Sequence, residues 1–254
     1  MKIVVIGGHG RLGSKVVEKL CEHGQDAVAA DLGTGVNTIT GEGLAEALEG
    51  ADVVVDVSNS PSFEDAAALE FFQTSTRNIL AAEQAAGVGH HVATSVVGSD
   101  RLPGSGYLRA KVAQEQLIEA SPVPYSIVRS TQFYEFVDSI ADAATDGDTV
   151  RVPSASIQPI AADDAARAVG KVAAGTPIGG IIEVAGPKPY SFDELIRYGL
   201  SARNDPRRVV ADPDAQYFGT TLTNGSLLPS DHAELAETRF EDWLGAATRQ
   251  HPAP

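Results

Sequence analysis

Apolar runs alternate with helical periods along most of the chain. Short runs at 2–6, 26–30, 52–57, 90–95, 124–129 and 180–184 predict six strands. The third, Val53-Val54-Val55-Asp56-Val57, is β-branched almost throughout, as a strand covered on both faces requires. Between the runs, apolar residues recur with helical spacing at 11–23, 42–49, 63–87, 107–120, 132–145, 162–174 and 191–201. Ser191 and Glu194 have the spacing of a capping box, and Ser62 with Asp65 is a weaker version. Strands that alternate with helices predict an α/β protein with a doubly wound parallel sheet. Right-handed crossovers predict the strand order 3-2-1-4-5-6. Glycine and proline become denser after about residue 145. The reading therefore divides the chain into a sheet domain, 1–150, and C-terminal additions, 151–254, that form a small lobe without folding on their own. The tail from 204 is polar and irregular until Phe240-Glu241-Asp242-Trp243-Leu244, which predicts a last docked helix.

The first strand runs directly into Gly7-Gly8-His9-Gly10-Arg11-Leu12-Gly13, a G-x-x-G-x-x-G followed by a helix. This is how a Rossmann unit begins. One glycine permits the turn, the next lets backbone approach a pyrophosphate, and the last lets helix and strand pack closely. The helix N-terminus then offers unpaired N–H groups and a positive dipole end. Gly7, Gly10, Arg11, Leu12 and Gly13 are thus the expected contacts of a dinucleotide. Asp31, at the end of the second strand, suits the two ribose hydroxyls of NAD and repels the 2′-phosphate of NADP. Arg11 is the cation that opposes this preference, so NAD or NADP fits, with Asp31 favouring NAD. The turn carrying Ser58 and Asn59 follows the third strand and is expected beside the cofactor.

Tyr107 and Lys111 form a Y-x-x-x-K at the start of a predicted helix, and the i, i+4 spacing puts both on one face. A nearby ammonium lowers a phenol's pKa and suits it to proton transfer. Ser95 closes the fourth strand, where doubly wound folds bind ligands, and can meet a substrate carbonyl or the phenol. Phe133, Tyr134 and Phe136 follow the fifth strand, and Phe133 and Tyr134 are candidate walls of a substrate pocket.

Gly7–Gly13, Ser95, Tyr107 and Lys111 together resemble the short-chain dehydrogenase/reductase superfamily. Asn59, the stretch Tyr125–Phe133, Pro159–Ala166 and Glu183-Val184-Ala185-Gly186-Pro187 resemble its atypical NmrA-like branch. The resemblance covers roughly residues 1–200. It implies an NAD(P)-binding protein with the nicotinamide near Ser95, Tyr107 and Lys111, in which 151–254 is the substrate lobe. Many members of that branch lack the Tyr/Lys pair and act as redox sensors; this chain keeps the pair, which favours an NAD(P)-dependent oxidoreductase acting on a small carbonyl, enone or quinone. In that reading Tyr107 is the proton donor, Lys111 tunes it and holds the ribose, and Ser95 orients the substrate. The alternatives are a dinucleotide-binding sensor without turnover and an isomerase or epimerase that retains its NAD.

A net charge of −15 argues against nucleic acid and anionic membrane surfaces as partners. The single cysteine, Cys21, excludes an internal disulfide, and no apolar run reaches the length of a membrane span, so a cytoplasmic location is expected. His90 and His91 are neighbours in a strand and face opposite ways, and no other cluster has ligand spacing, so no metal is expected. The sequence leaves the oligomeric state open.

Overall fold

The computed structural model of the protein describes residues 1–250. Five strands and a first set of helices alternate as expected: β1 (Lys2–Ile6), α1 (Arg11–Glu22), β2 (Asp26–Ala30), α2 (Leu44–Leu48), β3 (Val53–Asp56), α3 (Asp65–Ala86), β4 (His90–Val96), α4 (Gly106–Glu119) and β5 (Tyr125–Ser130). The strands Gly180–Ala185 and Glu234–Leu235 join them in a seven-stranded sheet. Its order is Glu234–Leu235, Gly180–Ala185, β5, β4, β3, β1, β2, and every neighbouring pair is parallel. This is a Rossmann-like α/β fold, but the expected order 3-2-1-4-5-6 is not the one found. β3 pairs with β1, and β2 is the sheet edge.

The reason lies in the connection after β2. It forms a 3-10 turn (Leu32–Thr34), a loop and the short α2, and no strand that would cover β2. The chain then crosses back over β1. A right-handed crossover that reverses direction must use the opposite face of the sheet, and the packing agrees. Ile3, Val5, Val53 and Val55 meet Val16 and Leu20 of α1 on one face. Val4, Ile6 and Val54 meet Leu44 and Leu48 of α2 and Ile79 of α3 on the other. The strand order therefore reverses between β1 and β3, and the crevice at their carboxyl ends is where such sheets bind ligands.

Past β5 the expected helix 132–145 is a 3-10 turn, Tyr134–Phe136, followed by α5 (Val137–Ala143). α6 (Ala162–Ala173) packs with α1 on the first face. α7 (Phe192–Ala202) starts at Ser191, but that side chain makes no capping bond, so the capping box is not formed. The weaker signal also shifts: α3 is preceded by Glu64, whose amide donates to Ser62 Oγ at 3.2 Å. The tail is more ordered than its polarity predicts. Arg208–Asp212 pairs in parallel with Thr149–Pro153, and Gln216–Tyr217 pairs with Thr220–Thr221 as a hairpin. α8 (Phe240–Gln250) ends the described chain. Among the described residues no helix is long and apolar enough to cross a membrane.

The C-terminal elements share one core built on Tyr134, Val150, Val152, Leu195, Ile196 and Phe240. Phe240 is fully buried, with its ring centroid 5.0 Å from that of Tyr134 and 5.9 Å from that of Trp243. Phe240→Ala is expected to destabilise the protein by about 3–5 kcal/mol, the range for a large buried ring. Urea unfolding of the variant against the parent measures it.

Candidate functional site

The crevice between β1 and β3 is floored by the glycine loop. Gly7 has φ of +78°, a left-handed turn that only glycine adopts without strain. A Cβ on Gly13 would lie 2.1 Å from the Gly7 carbonyl oxygen, and a Cβ on Gly8 would lie 2.5 Å from Ala29 Cβ. The loop is thus pressed between α1 and β2 with no room for side chains. Gly10 caps α1 without a side chain, and the first turn carries no acidic residue. The helix N-terminus therefore presents bare N–H groups and its positive dipole end to the crevice. The turn after β3 forms the other wall, with Ser58 Cα 3.1 Å from where a Gly7 Cβ would stand.

Asp31 follows β2 and is already engaged by its own chain. Oδ1 accepts from the Gly33 amide at 3.0 Å; Oδ2 accepts from the His9 amide at 3.1 Å and lies 2.7 Å from His9 Nδ1. Burial by itself would raise this carboxyl, but the hydrogen bonds from the His9 side chain and amide outweigh it and hold Asp31 below the ordinary carboxylate range. His9, an apparently free position in the glycine motif, is therefore a member of the site that spacing rules did not single out. Arg11 points to the other flank. Its guanidinium donates to the Glu135 carbonyl at 3.2 Å and lies 5.2 Å over the Phe136 ring. It spans from the loop to the segment after β5, on the side of the sheet away from β2 and Asp31.

The residues expected to do chemistry gather at the same edge, in a different hydrogen-bond pattern from the one anticipated. Ser105 caps α4, accepting from the Leu108 amide, and Tyr107 sits in the first turn. Its hydroxyl donates to Asn59 Oδ1 at 3.0 Å. Burial pushes the phenol up to about 12. Lys111 does not counter this, because its hydrogen bonds go elsewhere. Nζ donates to the Thr94 carbonyl at 2.9 Å and to Gln114 Oε1, and lies 4.3 Å over the Phe72 ring. Burial brings Lys111 down to about 8, against the raising effect of Asp56 and Glu115. Gln114 in turn donates to Asp56 Oδ2 at 3.0 Å, and Asp56 Oδ1 accepts from the Ser58 amide.

Ser95 is buried, and its Oγ has no hydrogen-bond partner among the described residues. Ser58 Oγ, Thr131 Oγ1 and both amide atoms of Gln132 share that condition. These residues lie at or just beyond the carboxyl ends of β3, β4 and β5. A buried polar group left unpaired costs about 1–3 kcal/mol, so a row of them beside a glycine cradle fits a polar ligand such as a dinucleotide. Thr131 and Gln132 lie in the Tyr125–Phe133 stretch that resembles the NmrA-like branch, but nothing in their spacing gives either a role of its own.

The aromatics after β5 divide. Phe133 is half-buried, stacks on Phe136 at 5.6 Å and faces the Arg11 side. Tyr134, expected in a substrate pocket, is instead a core residue. It is fully buried, packs on Phe240 and Trp243, and donates to the Thr238 carbonyl at 2.8 Å. The bridge from Phe133 to Ile160 fixes the alternation that turns Tyr134 inward.

Residues 7–172 match the family model described as NAD(P)H-binding. Photosystem II assembly factor Ycf39 of Synechocystis sp. (strain ATCC 27184 / PCC 6803 / Kazusa) is 26% identical over 149 residues, 53% of this chain. That match spans 46% of Ycf39, so the chain covers about half the length of this curated relative. Among solved structures, MoeE5 in complex with UDP-glucuronic acid and NAD superposes with a TM-score of 0.77 at 18% identity, over 98% of this chain and 99% of that one. The NADPH-dependent quinone oxidoreductase QOR2 of Escherichia coli gives 0.66 at 17% identity, over 96% and 99%. At these identities the likeness is one of fold.

Gly13→Ala is expected to cost about 1–3 kcal/mol of stability, the range for overpacking against backbone that cannot yield. The same change is expected to weaken NADH binding at least about tenfold, because the loop must move. Chemical denaturation and titration of the bound dinucleotide's fluorescence read the two effects.

Proposed function

Because the chain belongs to the NAD(P)H-binding family, we propose that it is an NAD-linked oxidoreductase that reduces a small carbonyl, enone or quinone with Tyr107 as proton donor. The observation that carries this reading is the placement of the Tyr107 hydroxyl. It is protonated far beyond neutral pH and held by Asn59, on the turn that walls the glycine loop. When bound, the nicotinamide dinucleotide supplies the hydride. The protein's own residues do the rest. The glycine loop and the N-terminus of α1 hold the pyrophosphate. Asp31, kept ionised by His9, faces the adenosine ribose and disfavours a 2′-phosphate, while Arg11 is tied to the opposite flank. Gln132 offers one buried donor and one buried acceptor side by side, the complement of a carboxamide. Ser95 orients the substrate oxygen, and the C-terminal elements outside the central sheet form the lobe around the substrate.

A phenol held near 12 stays a proton donor at neutral pH, which suits reduction: an alkoxide forming on the substrate is the stronger base. Lys111 acts by position. Its bond to the Thr94 carbonyl fixes the end of β4 that carries Ser95.

Tyr107→Phe is expected to lower turnover by about 10²–10⁴-fold, the usual worth of a positioned acid, with dinucleotide affinity within about twofold of the parent. Absorbance of the reduced cofactor across a carbonyl and quinone panel, with separate NADH and NADPH titrations, measures both; NADH is expected to bind more tightly. Unchanged turnover in the variant would remove Tyr107 from the chemistry. Gln132→Met is expected to raise the melting temperature of the ligand-free protein, since two unpaired buried polar atoms disappear, while weakening NADH binding about tenfold. Calorimetry with and without cofactor separates the two.

The engagement of Lys111 by Gln114 and Thr94 favours a second reading, a dinucleotide-binding regulator or assembly protein without turnover. The name of the Ycf39 relative points the same way. Tight NADH binding with no oxidation by any member of the panel would select it.

A further inference from the structure

The hairpin Gln216–Thr221 has no part in the chemistry above, yet its tip touches Tyr107. Gln216 pairs with Thr221 and Tyr217 with Thr220, which leaves Phe218 and Gly219 as a two-residue loop. Both have positive φ, 48° and 76°. That is the signature of a type I′ turn, whose unstrained occupants are Asn-Gly or Asp-Gly. A phenylalanine in the left-handed position costs roughly 1 kcal/mol or more. Its ring stacks on Tyr107 at 5.5 Å and 24°. Phe63, from the turn before α3, lies 5.2 Å from Tyr107 and 5.5 Å from Phe218 and closes a triangle of rings. Phe63 and Phe218 are 55% and 41% exposed, so this is a surface feature around the phenol and not part of the core. The hairpin is firmly seated behind its tip. Tyr217 meets Phe192 edge-on at 5.7 Å, and Thr220 lies so close to Gly104 that a Cβ there would be 2.5 Å from its hydroxyl.

Resting on the reading of Tyr107 as proton donor, we propose that Phe218 and Phe63 are specificity residues for a flat, conjugated, uncharged ring carbonyl, a quinone or aryl ketone. The substrate ring takes the face of Tyr107 on which Phe218 stacks in the structure, with the hairpin tip displaced to stack on it from outside. Offset ring stacking at 4.5–7 Å is worth about 0.5–1.5 kcal/mol beyond the area it buries. The cations near Tyr107 in the chain already have partners, which favours an uncharged ligand: Arg109 is held by Asp65 and the Pro103 carbonyl, Arg101 by the Leu228 carbonyl, and Lys111 is enclosed.

Phe218→Asn tests this without endangering the fold, because it installs the loop pair that a type I′ turn prefers; the melting temperature is expected to stay level or rise. The measurements are kcat/KM with NADH for 1,4-naphthoquinone and for the open-chain 2,3-hexanedione, and the Kd of the naphthoquinone for protein saturated with NAD. The parent's preference for the planar substrate is expected to fall about tenfold in Phe218→Asn and in Phe63→Ala, through KM, and to be kept in Phe218→Tyr. A parent that shows no preference, or an Asn variant that keeps it, overturns the proposal while leaving the oxidoreductase reading intact. If the parent binds naphthoquinone, the Asn variant does not, and neither oxidises NADH with any carbonyl, the clamp stands and the oxidoreductase reading fails.

Discussion

The first turn of α1 lies so close to the Gly7 carbonyl that a Cβ on Gly13 would sit 2.1 Å from its oxygen. That contact sets the height of α1 above the sheet, and with it the direction in which the helix's bare N-terminus points. The reversal of strand order between β1 and β3 supplies the complementary constraint. It brings the Ser58–Asn59 turn to the edge of the loop. Asn59 then reaches Tyr107 on α4, so a hydrogen bond across the crevice links the expected cofactor wall to the candidate acid. The geometry of the site is in this sense inherited from one glycine contact and one change of strand direction.

Beneath the crevice lies a chain of buried polar groups that an apolar core would not need. Gln114 holds Lys111 and is itself held by Asp56, and Glu115 takes Arg129 in a two-pronged pair at 2.7 and 2.9 Å, with Asp100 on the third side. Buried charges add little net stability, but removing one partner is expensive because the other is left bare. Such a network fixes the register of α4 against β4 and β5 more sharply than interchangeable aliphatic contacts do. Ser95 and Tyr107 both depend on that register. The high phenol and low ammonium follow from the same burial: each is held in its neutral direction by desolvation, and the mutual activation expected of a Tyr/Lys pair is absent in the ligand-free arrangement.

Much of this was legible in the order of residues, and the failures have physical causes. Strand and helix positions through β5 follow from short-range periodicity, which needs no knowledge of neighbours. The glycine loop is likewise local, and its anion-binding geometry needs only the strand before it and the helix after it. Strand order was misjudged because it depends on a strand that is missing: the 31–52 segment crosses the sheet with only a short helix. Tyr134 was misjudged because aromatic spacing does not distinguish a pocket wall from a core anchor, and its direction is set by a bridge to Ile160 far along the chain. His9 occupies a variable position of the motif and matters only because Asp31 lies within reach. Gln132 lies in the Tyr125–Phe133 stretch but has no role assigned by spacing; its unpaired amide is visible only once the fold has buried it.

The hairpin tip was the least legible feature, since a Phe-Gly pair in a polar tail resembles neither a turn signal nor a strand. Its strain is nevertheless informative. Asn at position 218 would satisfy the turn, and the backbone carries the less suitable residue at a place where its ring stacks on the candidate acid. Proteins depart from local preference most often where function demands it. The demand here is consistent with the chemistry of a phenol near 12. A phenol is already neutral at pH 7 in water; holding it near 12 calls for an apolar surround, whichever ring supplies the cover. Phe218 meets that need in the structure. A flat conjugated substrate meets it during reaction, because replacing one ring by another leaves the surroundings of Tyr107 nearly as apolar as before. A hydroxylated or charged substrate would bring water to the same face and weaken that upward shift.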